Sequence, residues 1–496
     1  MKSAKIAVPS APLSHREVLR IIFGVIVAMI LAALDQTIVV TALPTIGRNL
    51  GNPGYLPWVV TAYLLASTAV TPLYGKVSDI IGRRKTLLFA ISVFVIGSIA
   101  CAVSPNIYLL ILARALQGLG GGGLISLAQT IIADIVSPKE RSRYQVYISG
   151  VYMLASISGP LLGGYMAEHL HWSLIFWINL PVGLLALVMT NGLLKKLPRH
   201  EKPHKLDFLG AALVAGASIA LMLALNWGGI HYPWGSTQVL GLLAVSILQW
   251  AAFVWRLNTA PEPFIPSEIL KNPVVAMGTI TAMLIMGTYI GITAYLPIYM
   301  ELTFGLTASQ SGLSLIPFMS GTVVGAMIAG RFMAKSAHYK RPAYAGLVFS
   351  VIGCAVIAAF KNPLGLWVIE AIMGGVSIGL GTVFPITTVA IQNAVAPHQM
   401  GTATGVMGFF RSLGGALLVA LFGAVLFSQL PNLAALESSS TASVLSPVVM
   451  GEINSAFRPL FGLAALVLGL ALAAFHQMPE KALRGKVRVA DAVSVE

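Results

Sequence analysis

Apolar residues in this chain gather into long runs, separated by short clusters of charge, proline and glycine. A helix needs roughly 20 predominantly apolar residues to cross a bilayer. Read between its polar breaks, the pattern predicts fourteen spans: 18–43, 55–75, 85–103, 107–132, 143–167, 172–194, 207–226, 238–256, 273–300, 311–334, 342–360, 364–391, 402–428 and 458–478. The alternating ten-residue segments of a transmembrane barrel are missing. The expected fold class is therefore an all-α membrane protein.

Composition agrees: the 496 residues are 57% hydrophobic and 10% charged, with a mean hydropathy of +0.84. Water-facing domains run nearer a quarter charged. The formal net charge of +14 matters less than its placement. With a cytoplasmic N-terminus, Arg48, Lys361 and Arg458 fall outside, Arg114 and Arg411 lie within spans, and every other Lys and Arg falls on the cytoplasmic side. That asymmetry supports an even number of spans with both termini cytoplasmic, in a multi-pass protein of the cell membrane. No basic patch is interleaved with aromatics, so nucleic acid is excluded as a partner. Cys101 and Cys354 sit inside apolar spans without metal-ligand spacing, and read as packing residues. No nucleotide-binding P-loop is present, so ATP is not expected as an energy source, and no cofactor is expected.

Landmarks recur at an offset of about 255 residues. Gly75-Lys76 matches Gly330-Arg331, Gly150 and Gly159 match Gly405 and Gly414, Pro44 pairs with Pro297, and Pro138 with Pro397. Two six-helix bundles, 18–194 and 273–478, are expected to flank an inserted pair of helices in 207–256, with a pathway between the bundles. The remaining pieces are a cytoplasmic tail 1–17, cytoplasmic linkers 195–206 and 257–272, a Ser-, Ala- and Pro-rich outside loop 429–457, and a second tail 479–496.

Four motifs give the pattern a family character. They are Leu34-Asp35-Gln36-Thr37 running to Pro44 in span 1, and Gly75-Lys76-Val77-Ser78-Asp79-Ile80-Ile81-Gly82-Arg83-Arg84-Lys85 after span 2. The others are Arg114-Ala115-Leu116-Gln117-Gly118 with Gly120 to Gly123 in span 4, and Gly150, Gly159-Pro160 and Gly163-Gly164 in span 5. Together they resemble the major facilitator superfamily, and specifically its fourteen-helix drug/proton antiporter branch. Phe176 to Pro181 extends the likeness, although Ser173-Leu174 stands where relatives often have Arg-Trp, and Ala334 replaces the acid in the second copy of the loop motif.

The resemblance implies a transporter rather than an enzyme: hydrophobic, cationic drugs or toxic compounds exported in exchange for protons by alternating access. Export of a dedicated product such as a siderophore, antibiotic or lipid is the alternative. Protons, membrane lipid and a small-molecule cargo are the implied partners of a monomer, with a periplasmic adaptor added if the host is Gram-negative.

Charges within a bilayer are costly and usually functional. Asp35 lies roughly 26 Å into span 1, and Arg114 and Glu370 roughly 10 Å into theirs from the outside. This suggests one outer layer holding Asp35, Arg114 and Glu370 as proton-coupling residues, with Glu370 matching Arg114 across the repeat. Burial makes a carboxylate hold a proton more readily, and a nearby guanidinium works against that. Asp35 reads alternatively as a purely structural partner of Arg114.

By resemblance, Asp79 docks on the N-terminal end of span 13 near Gly401 to Thr404, with Arg83 and Asp134 completing the cluster. Gly159 and Pro160 complete the conformational switch, through close helix packing and a bend. The cargo surface is expected to be apolar and aromatic, with candidates Asp35, Tyr63, Tyr152, Met153, Tyr289, Phe318, Glu370, Met407, Phe410 and Arg411.

Overall fold

Inside hydrocarbon every backbone N–H and C=O needs a partner within its own segment, and the helix supplies one. The computed structural model describes residues 15–51, 55–196, 207–229, 231–261, 263, 265–336, 338–360, 364–429 and 447–483. Most of both expected tails, most of the 195–206 linker and most of the outside loop lie beyond the described residues. Among the described residues, fourteen helical segments are long and apolar enough to cross a membrane, and the only β feature is an isolated bridge between Gly228 and Tyr232.

In chain order the helices are α1 (His15–Leu50), α2 (Leu56–Ile81), α3 (Arg83–Ala102), α4 (Ile107–Ile135), α5 (Pro138–His169), α6 (Leu174–Trp177), α7 (Asn179–Leu193), α8 (Phe208–Trp227) and α9 (Thr237–Thr259). Then come α10 (Ser267–Lys271), α11 (Pro273–Phe304), α12 (Ala308–Leu313), α13 (Leu315–Lys335), α14 (Arg341–Ala359), α15 (Leu366–Ala394), α16 (Met400–Gln429) and α17 (Pro447–Gln477). Short polar side chains start several of them: Asn106 accepts from the Leu109 amide, and Asn272 from that of Val274. Gly82 links α2 to α3 at φ 93°, a left-handed value that admits a break of one residue.

The sixth and tenth spans are each one stretch, Leu174–Leu193 and Gln310–Lys335, but the regular helix is interrupted within them. The sixth breaks at Ile178 and the tenth at Ser314. Pro181 and Pro317 follow the breaks, and each lacks the N–H that would bond to the carbonyl four residues back. The last helix starts at Pro447, earlier than the apolar run suggests. Its polar first turns are tied down: Tyr299 donates to the Asn454 side chain at 2.9 Å, and Arg458 to the Ala358 carbonyl at 2.7 Å.

Contacts divide the chain into two compact units. One comprises Met1–Ser137, Leu154–Asp207 and Ala396–Gly405; the other comprises Pro138–Met153, Phe208–Val395 and Val406–Glu496. In the first, α4 is pressed between α2 and α3. A Cβ at Gly122 would run into the Ser67 carbonyl, and one at Gly120 into the backbone of Phe94. In the second, α15 lies likewise against α13 and α14, where a Cβ at Gly381 would meet the Thr322 carbonyl and one at Gly353 would touch Val376.

These paired contacts set the register of the internal repeat. Ser67 corresponds to Thr322 and Gly122 to Gly381, so the α2/α13 offset is 255 residues and the α4/α15 offset is 259. Gly97 against Gln117 and Gly353 against Val376 keep the same register. Met373, not Glu370, therefore occupies the place of Arg114. The expected Arg114–Glu370 match took Gly374 as the partner of Gly118, which is three residues out of step.

Candidate functional site

The first unit encloses a polar cluster among apolar helices. Asp35 projects from α1 and has 0% exposure; Arg114 projects from α4 and has 1%. One Arg114 Nη donates to Asp35 Oδ2 at 2.6 Å. Asp35 Oδ1 accepts from Gln117 Nε2 at 2.8 Å and Asn179 Nδ2 at 3.0 Å. Asn179 also reaches Ser98 Oγ at 2.9 Å, and Ser98 donates to the Phe176 carbonyl at 2.9 Å.

The guanidinium has further partners, since the same Nη also donates to Gln117 Oε1 at 2.6 Å. Its Nε donates to the Val59 carbonyl at 3.0 Å, and its plane lies 4.4 Å from the Tyr63 ring centre. Five helices thus converge on one ion pair, since α2 supplies Tyr63 and Val59, α3 supplies Ser98 and α7 supplies Asn179. Removing two charges from water is costly, and such a pair persists only when the remaining donors and lone pairs are also satisfied. Here they are.

The structure therefore brings Asp35 and Arg114 together but leaves Glu370 out. Glu370 is half-buried near the start of α15, in the second unit, and makes no ion pair among the described residues. Asp35 and Tyr63 were expected on a cargo surface; both are sealed inside the first unit. Gln117 and Asn179 were quoted only as parts of motifs, with no role at the site, and Ser98 was not singled out. The signal available for them was their polarity inside long apolar runs, which went unused because none carries a charge.

A second cluster joins the end of α2 to the start of α16, within the first unit. Asp79 Oδ1 accepts from the Gly401 amide at 3.0 Å, and Oδ2 from the Thr402 amide and hydroxyl, both at 2.7 Å. The first amides of a helix have no partner of their own and carry the positive end of its dipole, so a carboxylate fits there. Arg83 bridges Asp79 to Asp134, with its Nε 2.7 Å from the Asp134 carboxylate. Gly75 lies against the Gly401 carbonyl, where a Cβ would not fit.

Gly159 and Gly163 of α5 pack on α1, against Thr37 and the Ile38 carbonyl respectively, while Gly150 and Gly164 face open space. Pro160 is exposed, and α5 runs through it as one helix.

The second unit holds the rest of the expected cargo residues. Tyr289 stacks on buried Phe318 with ring centres 5.2 Å apart, and meets Phe384 edge-on at 6.1 Å. Phe410 packs on Phe409, Met407 is buried, and Tyr152 and Met153 are half-buried on α5. Arg411, on α16, places one Nη 2.9 Å from Thr388 Oγ1, 3.3 Å from the Phe384 carbonyl and 3.4 Å from Thr387 Oγ1. A groove of about 460 Å³ along α14 and α17, and another of about 330 Å³ along α3 and α4, contain none of the candidate cargo residues.

Comparison with known proteins gives a consistent picture. The family description for the Major Facilitator Superfamily matches residues 25–419. The multidrug transporter protein MdtP of Bacillus subtilis strain 168 is 32% identical over 414 residues, covering 83% of this chain and 76% of that protein. Multidrug resistance protein 3 of the same organism is 34% identical over 405 residues, covering 82% and 79%. Among solved structures, a bacterial homologue of the iron transporter ferroportin in an outward-facing state aligns over 93% of this chain and 99% of its own. Its TM-score is 0.65 at 12% identity, a likeness of fold alone.

Proposed function

This chain belongs to the Major Facilitator Superfamily, and from that premise we propose that it exports hydrophobic drugs or toxic compounds across the cell membrane in exchange for protons. It is a multi-pass membrane transporter, not an enzyme. Relatives named as multidrug transporters support drug efflux as the task. The observation that carries proton exchange is Asp35, a titratable acid held inside the hydrocarbon layer on a single cation and two amides.

In this reading Asp35 takes a proton from the outer side. The neutral acid no longer balances Arg114, so the bond between α1 and α4 weakens and Arg114 is left to seek water or another acceptor. Returning the proton to the cytoplasm restores the pair. A carboxyl can change its charge by a proton and a guanidinium cannot, which makes Asp35 the switch and Arg114 its fixed counter-charge. The asymmetry of the positive charges supports cytoplasmic termini. Asp35 lends no support to a cationic cargo, because its charge is matched by Arg114 at 2.6 Å.

Proteoliposomes containing the purified protein test the exchange. A dye panel that includes ethidium and fluorescein is expected to move faster under an imposed pH gradient, with counter-movement of protons read by an internal pH indicator. Dye movement indifferent to the gradient would remove proton exchange and leave family membership intact.

The Asp79 cluster is the proposed latch, because it fastens the start of α16 only while α2 lies beside it. Asp79→Asn keeps the shape and loses the charge. Charge-assisted hydrogen bonds are roughly twice as strong as neutral ones, so about 1–2 kcal/mol of latch stability is expected to vanish. That shifts the latched population roughly 5- to 30-fold. Dye export per molecule of surface-expressed protein should fall by a comparable factor. An unchanged rate would show that the latch does not gate transport.

A further inference from the structure

Arg114 and Arg411 are both intramembrane guanidiniums, and they are treated differently. Arg114 has Asp35. Arg411 has no acidic partner among the described residues; its polar contacts are the Phe384 carbonyl and the hydroxyls of Thr387 and Thr388, all on one terminal nitrogen. Its Nε is buried without an acceptor. The two threonines spend their own protons on carbonyls of α15, Thr387 on Val383 at 2.9 Å and Thr388 on Phe384 at 2.8 Å, so they offer Arg411 only lone pairs. Tyr152, a neutral phenol, lies within electrostatic reach.

A cation inside a bilayer is costly unless something offsets it. Neutral oxygens offset part of that cost, and a fork of five donors remains mostly unused. Arg411 sits eleven residues from the start of α16 at Met400, about 16 Å along the helix axis. In a core about 30 Å thick that is too deep for a lipid headgroup. Beside it is an aromatic wall, since the Phe384 ring centre lies 5.6 Å from the guanidinium and Tyr289 and Phe318 continue from it.

We propose that Arg411 anchors the acidic group of the cargo: the transported compound is an aromatic or otherwise apolar molecule bearing a carboxylate or similar oxyanion, seated on Arg411 with its hydrophobic body against Phe384 and Tyr289. This rests on the export reading and names its substrate class. The guanidinium supplies paired donors matched to an oxyanion, the rings supply apolar area, and a cationic compound is repelled from the same place.

Two xanthene dyes of one ring system and opposite charge, fluorescein and rhodamine 123, separate the possibilities by equilibrium binding to the detergent-solubilised full chain. The wild type is expected to bind fluorescein more tightly. Arg411→Gln should weaken fluorescein binding roughly tenfold or more, as loss of a charged hydrogen-bond partner does, and should strengthen rhodamine 123 binding. Arg411→Lys should retain part of the fluorescein preference. Tighter binding of rhodamine 123 by the wild type, binding of neither dye, or an unchanged fluorescein affinity in Arg411→Gln would each overturn the proposal. If Arg411→Gln does not fold, the decision passes to Arg411→Lys, where a preference for rhodamine 123 overturns it. Wild-type binding that follows the proposal, combined with dye transport that ignores a pH gradient, would count against proton exchange and not against the anionic cargo.

Discussion

Asp35→Asn is expected to destabilise the protein by about 3–5 kcal/mol, because it leaves the Arg114 guanidinium buried without an opposing charge. Arg114→Met should cost somewhat less. The carboxyl it strands can accept a proton and become neutral, whereas the guanidinium stranded by Asp35→Asn stays charged. Thermal unfolding of detergent-purified protein, followed by size-exclusion profile, reads all of this. Additivity fails for groups in direct contact, and the double variant Asp35→Asn with Arg114→Gln is expected to regain most of the stability. Neutral amides at both positions can bond to each other and to Gln117 and Asn179, with no charge left to bury.

The double variant also decides what the pair is for. A folded protein in which dye movement no longer responds to a pH gradient identifies Asp35 as the proton carrier. A folded protein with undiminished proton-driven export makes the pair a structural rivet between α1 and α4, and the carrier must then be sought elsewhere. Stability alone separates nothing here, since both roles predict damage from either single substitution.

Why the sequence yielded some of this and withheld the rest is a matter of which forces act locally. The spans were legible because a hydrocarbon layer demands about twenty apolar residues wherever a helix crosses it. Their breaks at Ile178 and Ser314 depend on single prolines a few residues on, whose effect on the hydrogen-bond ladder an apolar run does not display. Asp35 and Arg114 stood out as charges among apolar neighbours, and their meeting was one of two readings left open. Gln117 completes the cluster from the same helix as Arg114, one turn on, while Asn179 and Ser98 come from two other segments of the chain, and nothing local to those two announces a shared polar cluster. Glu370 shows the opposite error. Its depth placed it in the layer of Arg114 and a glycine match made it the repeat partner of Arg114, and the helix contacts show that the second copy is offset by three more residues along α15.

The glycines of α5 supply the second large effect. A Cβ at Gly163 would run into the Ile38 carbonyl and Thr41 Oγ1, and one at Gly159 into the side chain of Thr37. Gly163→Ala is expected to be the worse of the two, because a backbone carbonyl has no rotamer by which to withdraw. Overpacking of this kind costs typically 1–3 kcal/mol where a core can adjust, and more where two helix backbones must separate. Loss of monodisperse protein and of transport is the expected readout, while alanine at Gly150 or Gly164, where a Cβ meets nothing within 4 Å, should be tolerated.

Gly159 permits a sharper test. Its obstacle is a side chain, and Thr37 also donates to the Ala155 carbonyl at 2.8 Å, so one residue both fills and bonds the seam. Moving the glycine across, as Thr37→Gly with Gly159→Ala, should restore assembly that Gly159→Ala alone loses. Thr37 lies two residues beyond Asp35 on α1, so this seam also fixes where the carboxylate is presented to Arg114. If the swapped protein assembles but its export no longer follows the pH gradient, the α5 glycines act by placing Asp35. Full recovery of both would make them packing residues alone, and failure to assemble would mean that the Thr37 hydrogen bond, not the lack of a Cβ, holds the two helices together.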